Sequence, residues 1–136
     1  MKKRTISREY AVQMVYQACM TENSAAEVES TFWKSFDKPA DEVYTFAGEL
    51  FRNALKNREE HDRIVTQFLT ESWTFERLGE MEKCVLRVAI DELLNGDTPA
   101  YAIMNDYVAI TNKFTDKKTA SFVNGILEKI RNTFGK

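Results

Sequence analysis

The chain contains few of the residues that interrupt or cross-link a fold. Its 136 residues include two prolines, five glycines, two cysteines and one histidine. So few enforced breaks favour long amphipathic helices over a many-turned β-sandwich. Cys19 and Cys84 each lie among apolar residues, and the sequence has no short-spaced cysteine pair or Cys/His cluster that could bind zinc. This cysteine usage is typical of a reduced, cytoplasmic protein.

A long apolar run is also missing from the sequence. The basic start, Met1–Arg4, is followed by Arg8 and Glu9, which predicts neither a signal peptide nor a membrane anchor. The net charge of −2 argues against a protein that coats nucleic acid through bulk charge. The basic residues instead form two clusters, which are Lys2, Lys3, Arg4 and Arg8 at the start and Lys113, Lys117 and Lys118 near the end. Two local patches on an acidic body are compatible with modest, guided RNA binding.

Apolar residues recur at helical spacing along the chain, which predicts an all-α fold of about seven helices in one domain. The first four predicted helices run from an N-cap at Ser7 to about Met20, across Val28 to Trp33, from Pro39 to Leu55, and across Ile64 to Leu69. The last three run from Phe75 to Leu94, from a cap at Thr98 to Phe114, and from Thr119 to Thr133. Gly96 is predicted to cap the central helix in the left-handed conformation.

The predicted central helix has an unusual distribution of charge. Its helical periodicity places Glu82 inside the apolar arc and Glu92 near the edge of that arc. Four charged residues fall on the opposite side of the helix, namely Glu80, Lys83, Arg87 and Asp91. A carboxylate buried without a partner is costly. Glu82 is therefore expected either to pair with an Arg or Lys of a neighbouring helix or to face another molecule, and the spacing favours neither.

Other polar and small residues give no sign of catalysis. His61 lies in a charged run and is interpreted as part of a solvated helix face without metal co-ligands. No glycine-rich phosphate loop or nucleophile-base set is present, so we expect no enzymatic activity, catalytic residue, metal or cofactor. Gly125, inside a helix at a cost of about 1 kcal/mol relative to Ala, predicts close approach of another helix. Asn105 is expected to be a buried hydrogen-bonding group.

Several short segments carry a family resemblance through their order and spacing. They are residues 8–16 (REYAVQMVY), Trp73 and Arg77, residues 82–89 (EKCVLRVA), Pro99, Asn105-Asp106 and residues 122–127 (FVNGIL). Together they resemble the NusB family of bacterial transcription antitermination factors. The resemblance covers nearly the whole chain and implies that residues 1–136 are one NusB-like RNA-binding helical domain made of two small helical subdomains.

The resemblance also implies two binding surfaces. In this family an arginine-rich opening and the Phe of the FVNG segment contact RNA, which implies Arg4, Arg8 and Phe122 here. Lys117 and Lys118 lie a turn before Phe122, and an aromatic ring beside lysines can stack an unpaired base while neutralising its phosphate. By spacing alone, however, Phe122 is more often a core residue and the basic start a solvated tail.

The second implied surface holds a protein partner. In the family the Glu equivalent to Glu82 contacts NusE, a ribosomal protein that doubles as a transcription factor, and Glu76 could extend that surface. Thr5 and Ile6 stand where relatives often carry basic residues, which predicts weak intrinsic RNA affinity.

The implied function is antitermination. Bound to boxA-type single-stranded RNA with NusE, the protein would join the RNA polymerase antitermination complex and promote read-through in ribosomal RNA operons. One alternative is an RNA-binding, tethering module related to the N-terminal domain of ribosomal RNA cytosine methyltransferases. Another is a self-associating helical protein whose homodimer interface contains Glu82, Tyr101 and Tyr107.

Overall fold

A computed structural model describes residues 2–70 and 73–135, and these residues fold into an all-α structure as predicted. The seven helices are α1 (Lys3–Thr21), α2 (Ala25–Phe32), α3 (Asp41–Lys56), α4 (Arg58–Gln67), α5 (Glu80–Asn95), α6 (Ala100–Phe114) and α7 (Lys117–Phe134). Two short 3₁₀ turns, at Trp33–Ser35 and Phe75–Arg77, complete the described secondary structure, which contains no strand. None of the described helices is both long and apolar enough to cross a membrane.

The start of α1 differs from its prediction. Ser7 lies inside the helix and does not cap it, because its hydroxyl donates to the carbonyl oxygens of Lys3, one turn earlier, and of Val43 in α3. A serine that bonds back to the preceding turn satisfies its hydroxyl within a helix. The helix therefore begins five residues earlier than a cap at Ser7 would allow, and Arg4 is helical.

The central helix α5 begins at Glu80 and not at Phe75. Residues 75–77 form a separate 3₁₀ turn, and Gly79 is the N-cap of α5. At the other end Gly96 has φ −90° and ψ 177°, so the left-handed cap predicted there is wrong. Thr98 does not cap α6 either, since Pro99 is its N-cap residue and the Thr98 hydroxyl accepts from Arg4 instead.

Most other differences concern helix ends. Pro39 precedes the N-cap of α3, which is Ala40, and α4 ends before Phe68 and Leu69. The last helix starts earlier than predicted, because the Asp116 carboxylate accepts from the Thr119 N–H at 2.7 Å and caps it.

Helix α5 lies at the centre of the molecule and packs against α1, α3, α4, α6 and α7. Helices α1 to α3 pack together, as do α6 and α7, and one continuous apolar core joins the two groups. Every residue of α5 from Lys83 to Leu93 is buried. The charged side of this helix is therefore covered by neighbouring helices, and Lys83, Arg87 and Asp91 do not form a solvated face.

Three predictions about individual residues are wrong. His61 is only 2% exposed, and its Nε2 lies 2.8 Å from Oδ2 of Asp91, which places a polar contact between α4 and α5. Asn105 is exposed and not buried. A Cβ added to Gly125 would meet nothing within 4 Å among the described residues, so the close approach of another helix at that position is not found there.

Candidate nucleic-acid and partner interface

Arg8, predicted to contact RNA phosphates, is buried in a network that joins α1, α5 and α6. Its Nε and Nη2 donate to the two carboxylate oxygens of Glu92 at 2.8 and 2.5 Å, and its Nη1 donates to Asp106 at 2.7 Å. The hydroxyl of Tyr107 donates to Glu92 at 2.8 Å. With Arg8 only 3% exposed and its donors occupied, the guanidinium is not available to a phosphate, and this predicted contact is wrong.

The ionisation of this network follows from its burial and charges. Burial lowers the pKa of Arg8, but the hydrogen bonds to Glu92 and the charge of that carboxylate, with the hydrogen bond to Asp106, outweigh this effect and raise the pKa overall. Burial also raises the pKa of Tyr107 well above its usual value, and the neighbouring Glu92 carboxylate adds to the increase. Arg8 thus remains a cation and Tyr107 a neutral donor, and together they compensate the buried Glu92 charge. Tyr107 is fully buried, which also removes it from the predicted homodimer interface.

Arg4, one turn before Arg8, lies at the surface. Its Nη1 donates to the Thr98 hydroxyl at 3.0 Å and lies 3.7 Å from a carboxylate oxygen of Asp97. The guanidinium also lies over the Phe46 ring, 4.5 Å from its centroid. These exposed contacts orient the side chain without desolvating its charge, so Arg4 remains able to bind an anion.

A groove of about 570 Å³ beside Arg4 extends this surface towards α6. It is lined by Lys2, Arg4, Thr5, Arg8, Asp97, Thr98, Pro99, Tyr101, Ala102, Asn105 and Asp106. Tyr101 is 68% exposed, and Asn105 is exposed one turn later on the same helix. The groove thus combines cations with an exposed aromatic ring and an amide, which are groups that bind the phosphate, face and edge of a nucleotide. The sequence did not assign Tyr101 or Asn105 to this surface.

The second basic cluster is at the start of α7. Lys117 and Lys118 are exposed in its first turn, and Phe122 is half-buried one turn later, packed against the edge of the core. Phe122 and Lys118 line a cavity of about 190 Å³ together with Trp73, Leu78, Glu82 and Thr119. Phe122 therefore combines the two predicted roles, because part of its ring closes the core and part is accessible from this cavity.

Glu82 is on the same cavity and caps α5. Its Oε1 accepts from the Gly79 N–H at 2.5 Å, which satisfies one of the free donors at the helix start. Glu82 takes part in none of the ion pairs found among the described residues, so the core salt bridge considered from the sequence does not form. Glu76 is exposed in the preceding 3₁₀ turn.

The cavity beside Phe122 brings together residues that the sequence assigned to different surfaces. Lys118 and Phe122 belong to the predicted RNA surface, whereas Glu82 belongs to the predicted partner surface. Trp73, which is 40% exposed on the same wall, was not assigned to either. The groove beside Arg4 shares no lining residue with this cavity, so the two basic clusters form separate patches.

Comparison with known proteins agrees with the resemblance noted in the sequence. The sequence pattern of the NusB family matches residues 5–132. The transcription antitermination protein NusB of Macrococcus caseolyticus is 35% identical over 127 residues, which cover 93% of this chain and 95% of that protein.

Two solved structures have the same fold. One contains the antitermination factors NusB and NusE in complex with double-stranded RNA; its matching chain has a TM-score of 0.90 and 25% identity, with 98% of this chain and 99% of that chain covered. The other is the solution structure of NusB from Aquifex aeolicus, with a TM-score of 0.84, 26% identity and coverage of 100% and 94%. On the evidence of its sequence and its fold, this chain belongs to the NusB family.

Proposed function

We propose that this protein is a transcription antitermination factor that binds boxA-type single-stranded RNA together with NusE. In this role it would act in the cytoplasm, join the RNA polymerase antitermination complex and promote read-through in ribosomal RNA operons. Family membership supports the proposal, as does the similar fold of a NusB chain solved with NusE and RNA. The observation that carries it is the shared cavity of Lys118, Phe122 and Glu82, since it offers contiguous sites for a nucleotide and for a protein partner.

The proposed RNA surface contains the exposed cations Arg4, Lys117 and Lys118 and the ring of Phe122. Lysine and arginine side chains neutralise phosphates, and an accessible aromatic ring can stack an unpaired base. Arg8 contributes indirectly, because its buried contacts with Glu92 and Asp106 hold the first turns of α1 against α5 and α6. Those contacts position Arg4 at the edge of the groove near Thr98.

The proposed NusE surface contains Glu82 and Glu76. Trp73 lines the same cavity as Glu82 and is exposed to solvent. Within residues 2–70 and 73–135, the second carboxylate oxygen of Glu82 has no hydrogen-bond partner, whereas the first accepts from Gly79. A helix-capping carboxylate is held in a fixed orientation, which lowers the conformational entropy lost when a partner donates to it. Because Glu82 and Phe122 line the same cavity, RNA and NusE bound there would touch, and each would strengthen the binding of the other.

Binding here involves recognition only, and we propose no catalytic step. The relatives that carry the antitermination name align over most of their length, which favours this function over a methyltransferase tethering module. Self-association remains a second proposal that the exposed Tyr101 favours, because a ring that is 68% exposed is available to a second copy of the chain.

Fluorescence anisotropy with labelled RNA tests the proposal. A boxA-type RNA, a scrambled RNA and a duplex of the boxA sequence would be titrated at fixed near-physiological salt, with and without NusE. We expect selective binding of the single-stranded boxA RNA and a lower Kd when NusE is present. Equal binding of the boxA and scrambled RNAs by folded protein would contradict the proposal, and preference for the duplex would contradict its single-stranded part. Light scattering over a protein concentration series would report a homodimer and its response to RNA.

A further inference from the structure

The groove beside Arg4 contains an exposed aromatic ring and an exposed amide that are not part of the RNA surface proposed above. It is lined by the first turns of α1 and α6 and has a volume of about 570 Å³. Sites for small organic ligands typically have volumes of about 300–1,000 Å³, so a ligand as large as one nucleotide fits this groove.

Tyr101 and Asn105 lie on the same face of α6. They are four residues apart, which in an α-helix places their Cβ atoms about 5–6 Å from each other. Tyr101 is 68% exposed and Asn105 is also exposed. Within residues 2–70 and 73–135, neither side chain makes a hydrogen bond or a ring contact. A ring and an amide placed this close together can bind the face and the edge of a single base.

The two helices that form the groove are fixed to each other by buried contacts. Oδ2 of Asp106 in α6 accepts from Nη1 of Arg8 at 2.7 Å and from the hydroxyl of Thr5 at 3.0 Å, and both donors belong to α1. Arg8 is held in turn by Glu92. Because the groove is already formed without a ligand, little conformational entropy is lost when a ligand binds in it.

The charges along the groove favour a phosphate on its α1 side. Lys2 and Arg4 line this side and are exposed. Asp97, the acidic residue that faces Arg4, lies 3.7 Å from it, and its side chain is 94% exposed. Such an exposed pair is weak, so a phosphate can replace the carboxylate. The other acidic residue of the groove, Asp106, is already paired with Arg8.

The helix ends at the groove add to this preference for an anion. Neither α1 nor α6 has an acidic residue in its first turn, and neither is capped by a side chain of the described residues. Each of the other five helices has an acidic residue in its first turn or at its N-cap. The partial positive charge at the start of a helix attracts anions, so both ends strengthen the attraction that Lys2 and Arg4 exert on a phosphate.

We propose that this groove binds one unpaired adenosine nucleotide of the RNA, at a subsite separate from Phe122. The base stacks on the ring of Tyr101, its edge bonds to the amide of Asn105, and its phosphate lies against Lys2 and Arg4. An amide donates and accepts at the same time, which matches the neighbouring acceptor nitrogen and amino group on the edge of adenine. This inference rests on the proposed RNA-binding function and adds a second base contact to it.

RNAs that each lack one base but keep the backbone locate the nucleotide in the groove. A series of boxA-type RNAs, each with a single abasic position, would be titrated against the wild-type protein and Tyr101→Ala. At one position, loss of the base should raise the wild-type Kd about 5- to 150-fold, which is the range for one base stacked on an aromatic ring. The same abasic RNA should bind Tyr101→Ala about as well as the intact RNA does. A series in which every abasic position affects both proteins equally would overturn the proposal.

Conservative variants separate the ring from the rest of the groove. Tyr101→Phe keeps the ring and should bind the intact RNA with near wild-type Kd, whereas Tyr101→Ala should bind it more weakly with an unchanged salt slope. Asn105→Ala should lower the preference for adenine at the position found by the abasic series. Asn112→Ala, which removes an exposed amide later on α6, should keep that preference. Wild-type protein without a preference for adenine there would overturn the adenosine assignment.

The results distinguish failure of this inference from failure of the proposed function. Selective binding of boxA-type RNA with the same Kd for wild type and Tyr101→Ala would overturn the inference and leave the function in place. Wild-type protein that does not bind this RNA selectively would overturn both. If Tyr101→Ala converts a dimer to a monomer in light scattering and leaves RNA affinity unchanged, the ring belongs to a contact between two copies of the chain and the inference is wrong.

Discussion

Arg8 and Glu92 form a buried ion pair with two hydrogen bonds that joins the first helix to the central one. Their side chains are 4% and 3% exposed, and their contacts measure 2.8 and 2.5 Å. Desolvating two charges is costly, so such a pair is stable only when its remaining donors and acceptors are also satisfied. Asp106 and Tyr107 supply those contacts from α6. An arginine that the family resemblance assigned to RNA is therefore part of the core.

Arg8→Ala should strongly destabilise the protein, because it leaves the Glu92 carboxylate buried without its cation. Breaking one partner of a buried pair costs about 3–5 kcal/mol. Urea denaturation followed by circular dichroism measures this free energy of unfolding. The matched control is Arg4→Ala, which removes an exposed arginine one turn earlier and should change stability by less than about 0.5 kcal/mol. An Arg8→Ala variant with wild-type stability and weakened RNA binding would restore Arg8 to the RNA surface.

The helices themselves could be predicted from sequence, and the surroundings of their polar residues could not. Helical spacing of apolar residues is visible along α3 and α5, whereas a row of charges looks the same whether it faces water or another helix. Lys83, Arg87 and Asp91 were placed on the side of α5 opposite its apolar arc, yet α4 and residues 75–77 cover that side. Arg87 is paired with Asp62, and Asp91 with His61. Such pairs between helices are tertiary contacts, which no local pattern records.

The candidate site also contains residues that could be predicted from sequence and spatial relationships that could not. Motif order predicted roles for Phe122 and Glu82, which lie in family-specific segments, and for Arg4, which precedes the first of those segments. The shared cavity of Glu82 and Phe122 depends on how distant helices meet. Tyr101 was predicted only as an exposed aromatic residue of a homodimer interface, and its place in the groove beside Arg4 follows from the side of α6 on which it lies.

Arg4→Ala should weaken RNA binding and flatten its dependence on salt. Each phosphate contact releases condensed counterions, so the loss of one contact should reduce the slope of log K against log salt by about one unit or less. Anisotropy titrations at several salt concentrations provide the slope. Arg63→Ala, which removes an exposed arginine from α4, serves as the control. An unchanged slope for Arg4→Ala would remove this residue from the proposed RNA surface.

Two substitutions at Glu82 separate its capping role from its proposed partner role. Glu82→Ala removes both the charge and the acceptor for the Gly79 N–H, so it should weaken NusE binding and cost about 0.5–2 kcal/mol of stability. Glu82→Gln keeps an acceptor oxygen and should retain most of the stability while still weakening NusE binding. Calorimetric titration with NusE and thermal melting supply the two measurements. Wild-type NusE affinity in both variants would leave Glu82 as a helix cap only.

Phe122→Ala and Lys118→Ala should weaken RNA binding for different physical reasons. Loss of base stacking on an aromatic ring costs about 1–3 kcal/mol with little dependence on salt, whereas loss of a lysine contact lowers the salt slope. Phe122 is half-buried, so circular dichroism must first show that its variant is folded. Lys129→Ala, an exposed lysine later on α7, is the matched control for Lys118.

Phe122→Ala also tests whether RNA and NusE strengthen each other's binding through the shared cavity, and Arg4→Ala is its control. Because Phe122 and Glu82 line the same cavity, the ability of NusE to strengthen RNA binding should fall in Phe122→Ala. The Kd for boxA RNA measured with and without NusE gives this ratio for each protein, and Arg4→Ala should leave it near wild type since Arg4 lines the separate groove. If Phe122→Ala weakens RNA binding equally with and without NusE, then the coupling between RNA and NusE does not depend on the contact of RNA with Phe122 in this cavity.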